Sequence, residues 1–396
     1  MDSQKIPSAS GARLSVRQLL PYTTFIRLAL AWGAVAAFEL GGKIWLAYPI
    51  PIATAIVCFL ILFSIILFAA FGVVREADHL AHLLGEPLGT LILTFTVVSI
   101  EVILIAAVMI GPGEATTIAR DSIFAVMMII LNLVTGLCLL LGGLRYGEQE
   151  FNPQGAVAYL SMIVLLTATG LILPNFLSSQ DGSFTPRQAW PIAMLTGALY
   201  LVFLAMQVGR YRRFFIQPVS AASMASAKRA EDCPDDSALT IGTRDRRAVF
   251  IRSLVLAGLM LPIVLLAHHL AVLIDFGIER AKAPAAIGGV VIAIIVFTPE
   301  SITSIKAALA DKMQRVANLC LGAFVSTVGL TVPAVLVIGL IKGKAVVLGL
   351  SPLDTFLVGL TLVLTTLTFV GPRSSPIQGA MHLMLFATYC VLLFVP

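Results

Sequence analysis

The chain has 396 residues, of which 59% are hydrophobic and only 12% charged, with a mean hydropathy of +0.98. A soluble domain carries about a quarter charged residues, so this much apolar surface needs lipid as its solvent. The net charge of +5 is small and spread over loops. With no basic stripe interleaved with aromatics, it excludes a nucleic-acid partner.

The N-terminus, "MDSQKIPSASGARLSVRQLLP", is polar and basic. The first apolar run lacks a small-residue cleavage signal and reads as a retained helix. A helix needs about 20 apolar residues to cross the hydrocarbon layer. Eleven runs meet that need: 22–40, 49–74, 87–110, 121–143, 156–177, 189–208, 249–274, 284–309, 316–341, 352–371 and 377–395. None alternates with the period of barrel strands. The expected fold class is therefore an all-α membrane protein with about eleven transmembrane helices.

The longest polar stretch, 209–248, separates six runs from five and reads as a linker. It carries Arg210, Arg212, Arg213, Lys228, Arg229, Arg244, Arg246 and Arg247. The positive-inside rule puts it in the cytoplasm. Eleven spans then put the N-terminus in the cytoplasm and the C-terminus outside. Seven of the 26 Lys and Arg face outward in that arrangement: Lys43, Arg120, Arg187, Arg280, Lys282, Lys342 and Lys344. The five cysteines have no C-x-x-C spacing, and four lie in apolar runs. Neither disulfides nor a zinc site is expected.

Two apolar runs contain an acid. "TVVSIEVILIAAVMIG" (96–111) holds Glu101, and "IAIIVFTPESITSIKAAL" holds Glu300. With the two acids superimposed, Gly89 falls on Gly288 and Ser99 on Thr298, and an Arg follows each run (Arg120, Arg315). This reads as a duplication. The expected domains are a tail and extra helix (1–48), a first repeat (49–208), the linker (209–248) and a second repeat (249–396). Five spans per repeat make the two halves enter the membrane in opposite senses. That inverted plan places a binding site near the midplane, at the repeat interface.

Both acids lie about 20 Å into their spans, and an ionised acid there costs at least about 2.5 kcal/mol. No Lys or Arg stands one turn away, and Lys306 lies on another face. The neutraliser is then a proton or a cation. Two carboxylates in one pocket can take protons or a divalent ion in competition, which with alternating access yields antiport. Hydroxyls suit a hard cation. Thr303 and Ser304 follow Glu300 on its face, and Thr94 shares the face of Glu101. Thr298 and Ser326 complete the candidate set. Pro299 removes a backbone N–H before Glu300 and is expected to weaken the helix and free carbonyls. No His or Cys stands at ligand spacing for a softer metal. The bland alternative is that the acids are structural, bonded to hydroxyls of neighbouring helices.

The segments "LGEPLGTLILTFTVVSIEVILIAAVM" (84–109) and "FTPESITSIKAALADKMQRVANLCLGAFVSTVGLTVP" (297–333) resemble the paired repeat motifs of bacterial calcium/proton antiporters, within the calcium/cation antiporter superfamily. The resemblance covers nearly the whole chain. It implies two inverted five-helix repeats plus an extra N-terminal helix, and calcium exchanged for protons at Glu101 and Glu300. It further implies calcium as transported substrate, no cofactor, no enzymatic activity, and a multi-pass place in the inner (plasma) membrane. A homo-oligomer is compatible with it. The chain departs from the wider superfamily in lacking its Gly-Asn-x-x-Glu run at both acids. Near Ser326 it also lacks the usual glutamine.

Other polar groups have two readings. Glu86 opens the third span as a helix cap or an ion relay, with His79 and His82 beside it. Asp78 and His82 are one turn apart. Asn132, Thr135, Asn318, Ser326 and Thr327 either glue helices together or line the path. His382 reads as a packing donor, and His268 and His269 have no evident partner. A sodium or potassium/proton antiporter stays open as an alternative. A cation channel would need repeated filter elements, and an intramembrane enzyme a nucleophile–base pair or a His cluster.

Overall fold

The computed structural model describes residues 21–84, 88–110, 116–177, 181–216 and 246–395. They form long helices in chain order: α1 (Tyr22–Trp45), α2 (Ile52–Leu84), α3 (Leu88–Ile110), α4 (Ile118–Tyr146), α5 (Pro153–Phe176) and α6 (Pro186–Val208). After the linker follow α7 (Arg246–Ala281), α8 (Ala286–Ala308), α9 (Met313–Lys342), α10 (Pro352–Phe369) and α11 (Pro376–Phe394). Ten are long and apolar enough to span a bilayer. In α3 the described apolar stretch is the shorter Phe95–Met109.

Local chemistry starts these helices in matching places. Asn152 caps α5 and Ser351 caps α10, each followed by a proline at the first helical position. Thr185 and Ser375 form capping boxes with Gln188 and Gln378 at α6 and α11, again before a proline. Proline there has no N–H to leave unpaired. The same signals thus recur at the fourth and fifth helices of each half.

Packing repeats in the same way. α2 packs on α7, and α1 lies against both. α3 contacts α7 and α9, as α8 contacts α2 and α4. α9 contacts α6, as α4 contacts α11. Exchanging the halves reproduces each contact, as two inverted repeats require. Short linkers join at both ends of the bundle. Strands β1 (Gln149–Glu150) and β2 (Arg373–Ser374) pair antiparallel, and Ser183 bridges Val347.

α4 is the central helix, and its contacts need glycine. A side chain at Gly136 would meet the Gly379 carbonyl at 3.0 Å, and one at Gly379 would meet the Gly136 carbonyl at 2.8 Å. α4 and α11 therefore cross backbone to backbone. α8 presses equally close: a Cβ on Gly289 would lie 2.5 Å from the Asp121 and Ser122 backbone.

Several boundaries differ from the sequence reading. α2 runs ten residues past the expected 74, through "READHLAHLL", because no Gly or Pro interrupts it before Gly85. α7 likewise extends to Ala281. Pro299 does not break α8. The hydroxyls of Thr298, Ser301 and Thr303 bond back to the carbonyls of Ile294, Phe297 and Pro299. The carbonyl that loses its N–H partner to the proline is that of Ile295, which none of these three hydroxyls meets.

Candidate functional site

Glu101 sits in α3 with no exposure to solvent. Its Oε2 accepts a 2.9 Å hydrogen bond from Thr327 Oγ1 of α9. Thr327 opens a π-helical turn, Thr327–Thr331, inside α9. The wider turn brings Thr331 near the same carboxyl, while its own Oγ1 has no hydrogen-bond partner among the described residues. α4 carries a matching π-helical turn, Met128–Val134. Single-turn π segments of this kind recur at functional sites.

Glu300 of α8 lies within electrostatic range of Glu101. It walls a small cavity with Ser301, Ser304, Cys320, Leu319, Ala323, Phe297, Ile130 and Val134. The cavity measures about 10 Å³, room for about one water. Among the described residues, Glu101 Oε1 and Glu300 Oε2 are buried without any hydrogen-bond partner, and neither acid has an ion pair. A buried carboxylate oxygen that lacks a donor is costly unless a proton or cation satisfies it.

The other candidates fall in distinct places. Ser304 is buried on the Glu300 face. Thr298 and Thr303 give their hydrogens to their own helix. Ser326 does the same toward Gly322 and Ala323, so its neighbour Thr327 is the group that meets Glu101. α3 includes Thr94, whose side chain lies outside the described residues, as do Glu86 and the side chain of His82. His79 is half-buried in α2, four residues from Arg75 and three from Glu76. Asn132 does not face Glu300. Its Nδ2 donates to Thr361 of α10 at 3.0 Å, and its Oδ1 lies 3.2 Å from His382 Nδ1. His382 Nε2 is 3.0 Å from Thr368 Oγ1, so this buried set ties α4 to α10 and α11. Thr135 bonds to the Ile130 carbonyl, and Asn318 to the Phe215 carbonyl. His269 has a neighbour after all, Glu39 of α1, at 3.8 Å, with His268 against its ring.

Sequence reasoning missed two buried acids, Asp121 of α4, which pairs with Arg120 at 2.9 Å, and Glu76. Glu76 of α2 is 1% exposed, receives Thr24 Oγ1 at 3.1 Å and pairs with Arg252 of α7 at 2.8 Å. The signal was there. Glu76 precedes Asp275 by the same offset that relates Glu101 to Glu300. Asp275 Oδ2 is buried with no hydrogen-bond partner among the described residues.

Comparison with known proteins agrees with this geometry. A protein described as an ionic transporter, y4hA of Sinorhizobium fredii, is 36% identical over 89% of this chain and 92% of its own. The sodium-potassium/proton antiporter ChaA of Escherichia coli is 32% identical over 83% of this chain and 86% of its own. In fold, the native YfkE structure covers 94% of this chain and 100% of its own, with a TM-score of 0.69 at 18% identity. The H+/Ca2+ exchanger CAX covers 93% of this chain and 88% of its own, with a TM-score of 0.65 at 12% identity. The family described as sodium/calcium exchanger protein matches residues 54–209 and 251–395. An inverted-repeat membrane bundle with an acid inside each half, and a match over both halves, make this chain a member of the sodium/calcium exchanger family, a family of cation transporters rather than enzymes.

Proposed function

We propose that the chain exchanges calcium for protons by alternating access, with Glu101 and Glu300 binding cation and protons in competition. One observation carries the reading: Glu101, fully buried, and Glu300, half-buried, each keep a buried carboxylate oxygen that no donor among the described residues satisfies. Two protons or one divalent cation neutralise the pair equally, so one ligand leaves as the other enters. Thr327 holds Glu101 without neutralising it, because a hydroxyl supplies a hydrogen bond and no charge. Ser304 and the hydroxyls along α8 supply the oxygen donors that a hard cation takes in place of water. Solved neighbours with the same fold are named Ca2+/H+ antiporter or exchanger.

A second reading has its own support. ChaA, at 32% identity, is named a sodium-potassium/proton antiporter. A monovalent cargo would leave one acid protonated. In either case the polar linker, the N-terminus and the ends of α2 and α8 face the cytoplasm of a plasma-membrane protein, and residues 49–208 and 249–396 form the two exchanging halves. Flux in sealed vesicles tests the reading. Calcium uptake should follow an imposed pH gradient and stop when the gradient is collapsed. Uptake driven by a calcium gradient alone, or sodium uptake that calcium does not inhibit, would overturn it.

A further inference from the structure

The chain folds back on itself at the end of the bundle that carries the linker. After α6 a short helical turn, Arg212–Phe215, lies across the starts of α5 and α9. The Phe214 carbonyl comes so close to Gly155 that no side chain would fit there, and the Phe215 ring packs against Tyr159 and Phe203. A chain of amides fixes the turn. Gln314 accepts from the Asn152 N–H at 2.6 Å and donates to Asn318 at 2.9 Å, and Asn318 donates to the Phe215 carbonyl at 2.6 Å. Phe215, Gln314 and Asn318 wall a pocket of about 220 Å³, whose other sides are Lys312 and Arg315. Both cations are exposed, and neither has an ion pair among the described residues. Asp311, next to Lys312, accepts from Gln149 instead. Among the described residues no acid lines the pocket.

We propose that this pocket binds the phosphate headgroup of an anionic phospholipid. Basic pockets between helices at a membrane border hold such headgroups. The Arg315 guanidinium suits two phosphate oxygens at once, while Lys312 acts as a point charge. Asn318 spends one amide N–H on Phe215 and has a second to give. With no carboxylate to face it, a choline or ethanolamine ammonium gains nothing here, which selects for lipids of net negative charge. The apolar side decides between a lipid and a soluble phosphate. Phe215 forms one wall, Ile216 beside it is 52% exposed, and the exposed apolar face of α6 continues through Met206 and Val202. That surface takes acyl chains, which a soluble anion lacks. A headgroup held here ties the first turn of α9 to the turn after α6, and so steadies the helix that presents Thr327 to Glu101. The site stands whatever ion the chain carries.

The test uses purified full-length protein in a neutral detergent, titrated with phosphatidylglycerol or phosphatidylcholine, with bound lipid counted by native mass spectrometry. Wild type should retain phosphatidylglycerol in preference, and that lipid alone should raise the melting temperature. Lys312→Gln combined with Arg315→Gln should lower phosphatidylglycerol affinity roughly tenfold to thirtyfold. Lys312→Arg combined with Arg315→Lys should keep most of it. Asn318→Leu alters no charge and should also weaken binding, because it removes a wall of the pocket. Lys43→Gln combined with Arg187→Gln removes the same charge at the other end of the bundle and should leave binding unchanged. Equal retention of the two lipids, an equal loss in the Lys43 and Arg187 control, or undiminished affinity in Asn318→Leu would overturn the site. So would displacement of the lipid by inorganic phosphate at the same concentration, which would make the pocket a site for soluble anions.

Discussion

Thr327 Oγ1 donates to Glu101 Oε2 at 2.9 Å, joining residues 226 positions apart. The bond runs from the second half of the chain into the first. It makes the acid of one half answer to the π-turn of the other, so movement between the halves is felt at the carboxyl. Thr327→Val keeps the shape and removes the donor. A hydrogen bond to a charged group contributes about 1.5–3 kcal/mol, so apparent calcium affinity should fall roughly tenfold to a hundredfold. Thr327→Ser should retain most of it. Concentration-dependent flux measures both, and an unchanged half-saturation in Thr327→Val would show that the bond is incidental.

The acids themselves give a sharper contrast. Glu101→Gln and Glu300→Gln should each insert, fold and lose exchange. Glutamine keeps volume and polarity but holds no charge for a proton or cation to balance. Flux at near wild-type rate in either variant would make that acid structural.

Orientation follows from charge. A reporter fused within residues 220–240 should lie in the cytoplasm, and one fused after Pro396 should lie outside. Both on one side would mean an even number of spans between them, in conflict with five helices per half.

The pair between α2 and α7 should matter for stability. Glu76 is buried against Arg252 and Thr24. Arg252→Leu leaves a buried charge unpaired, a loss of about 3–5 kcal/mol. The double variant Arg252→Leu, Glu76→Leu should recover most of it. Thermal unfolding in detergent reads the difference. Equal melting of wild type and Arg252→Leu would show that the pair adds nothing to stability.

Much of this architecture was legible in sequence because lipid imposes simple rules. Long apolar runs fixed the helix count, and a single offset related Glu101 to Glu300. What escaped notice depended on helix geometry finer than composition. At the start of the π-turn in α9, Thr327 meets Glu101, while Ser326 bonds back to its own helix. Asn132, on the matching turn of α4, faces His382 and Thr361 instead of an acid. Pro299 was expected to weaken the helix, yet α8 runs unbroken through it. Side-chain direction around a π-turn is set by packing against neighbours, and one-dimensional periodicity does not carry it.

Competition between protons and cation decides which ion is the cargo. As pH falls, protons fill Glu101 and Glu300 and calcium must displace them, so apparent affinity should weaken toward acid. The slope counts the protons released. If both acids give up a proton per ion bound, affinity should change about a hundredfold per pH unit where the pair is fully protonated. If only one does, as for a monovalent cargo, the change should be about tenfold. Calorimetry on purified protein from about pH 5 to about pH 9 spans the range in which carboxylates and their competitors titrate. Run in parallel with calcium and with sodium, it also separates the two exchange readings: calcium as cargo should show the steeper slope, sodium as cargo the shallower one, and the other ion should bind weakly at every pH. A pH-independent affinity for both ions would sink the competition mechanism, because two buried carboxylates cannot hold a cation without first losing whatever neutralised them.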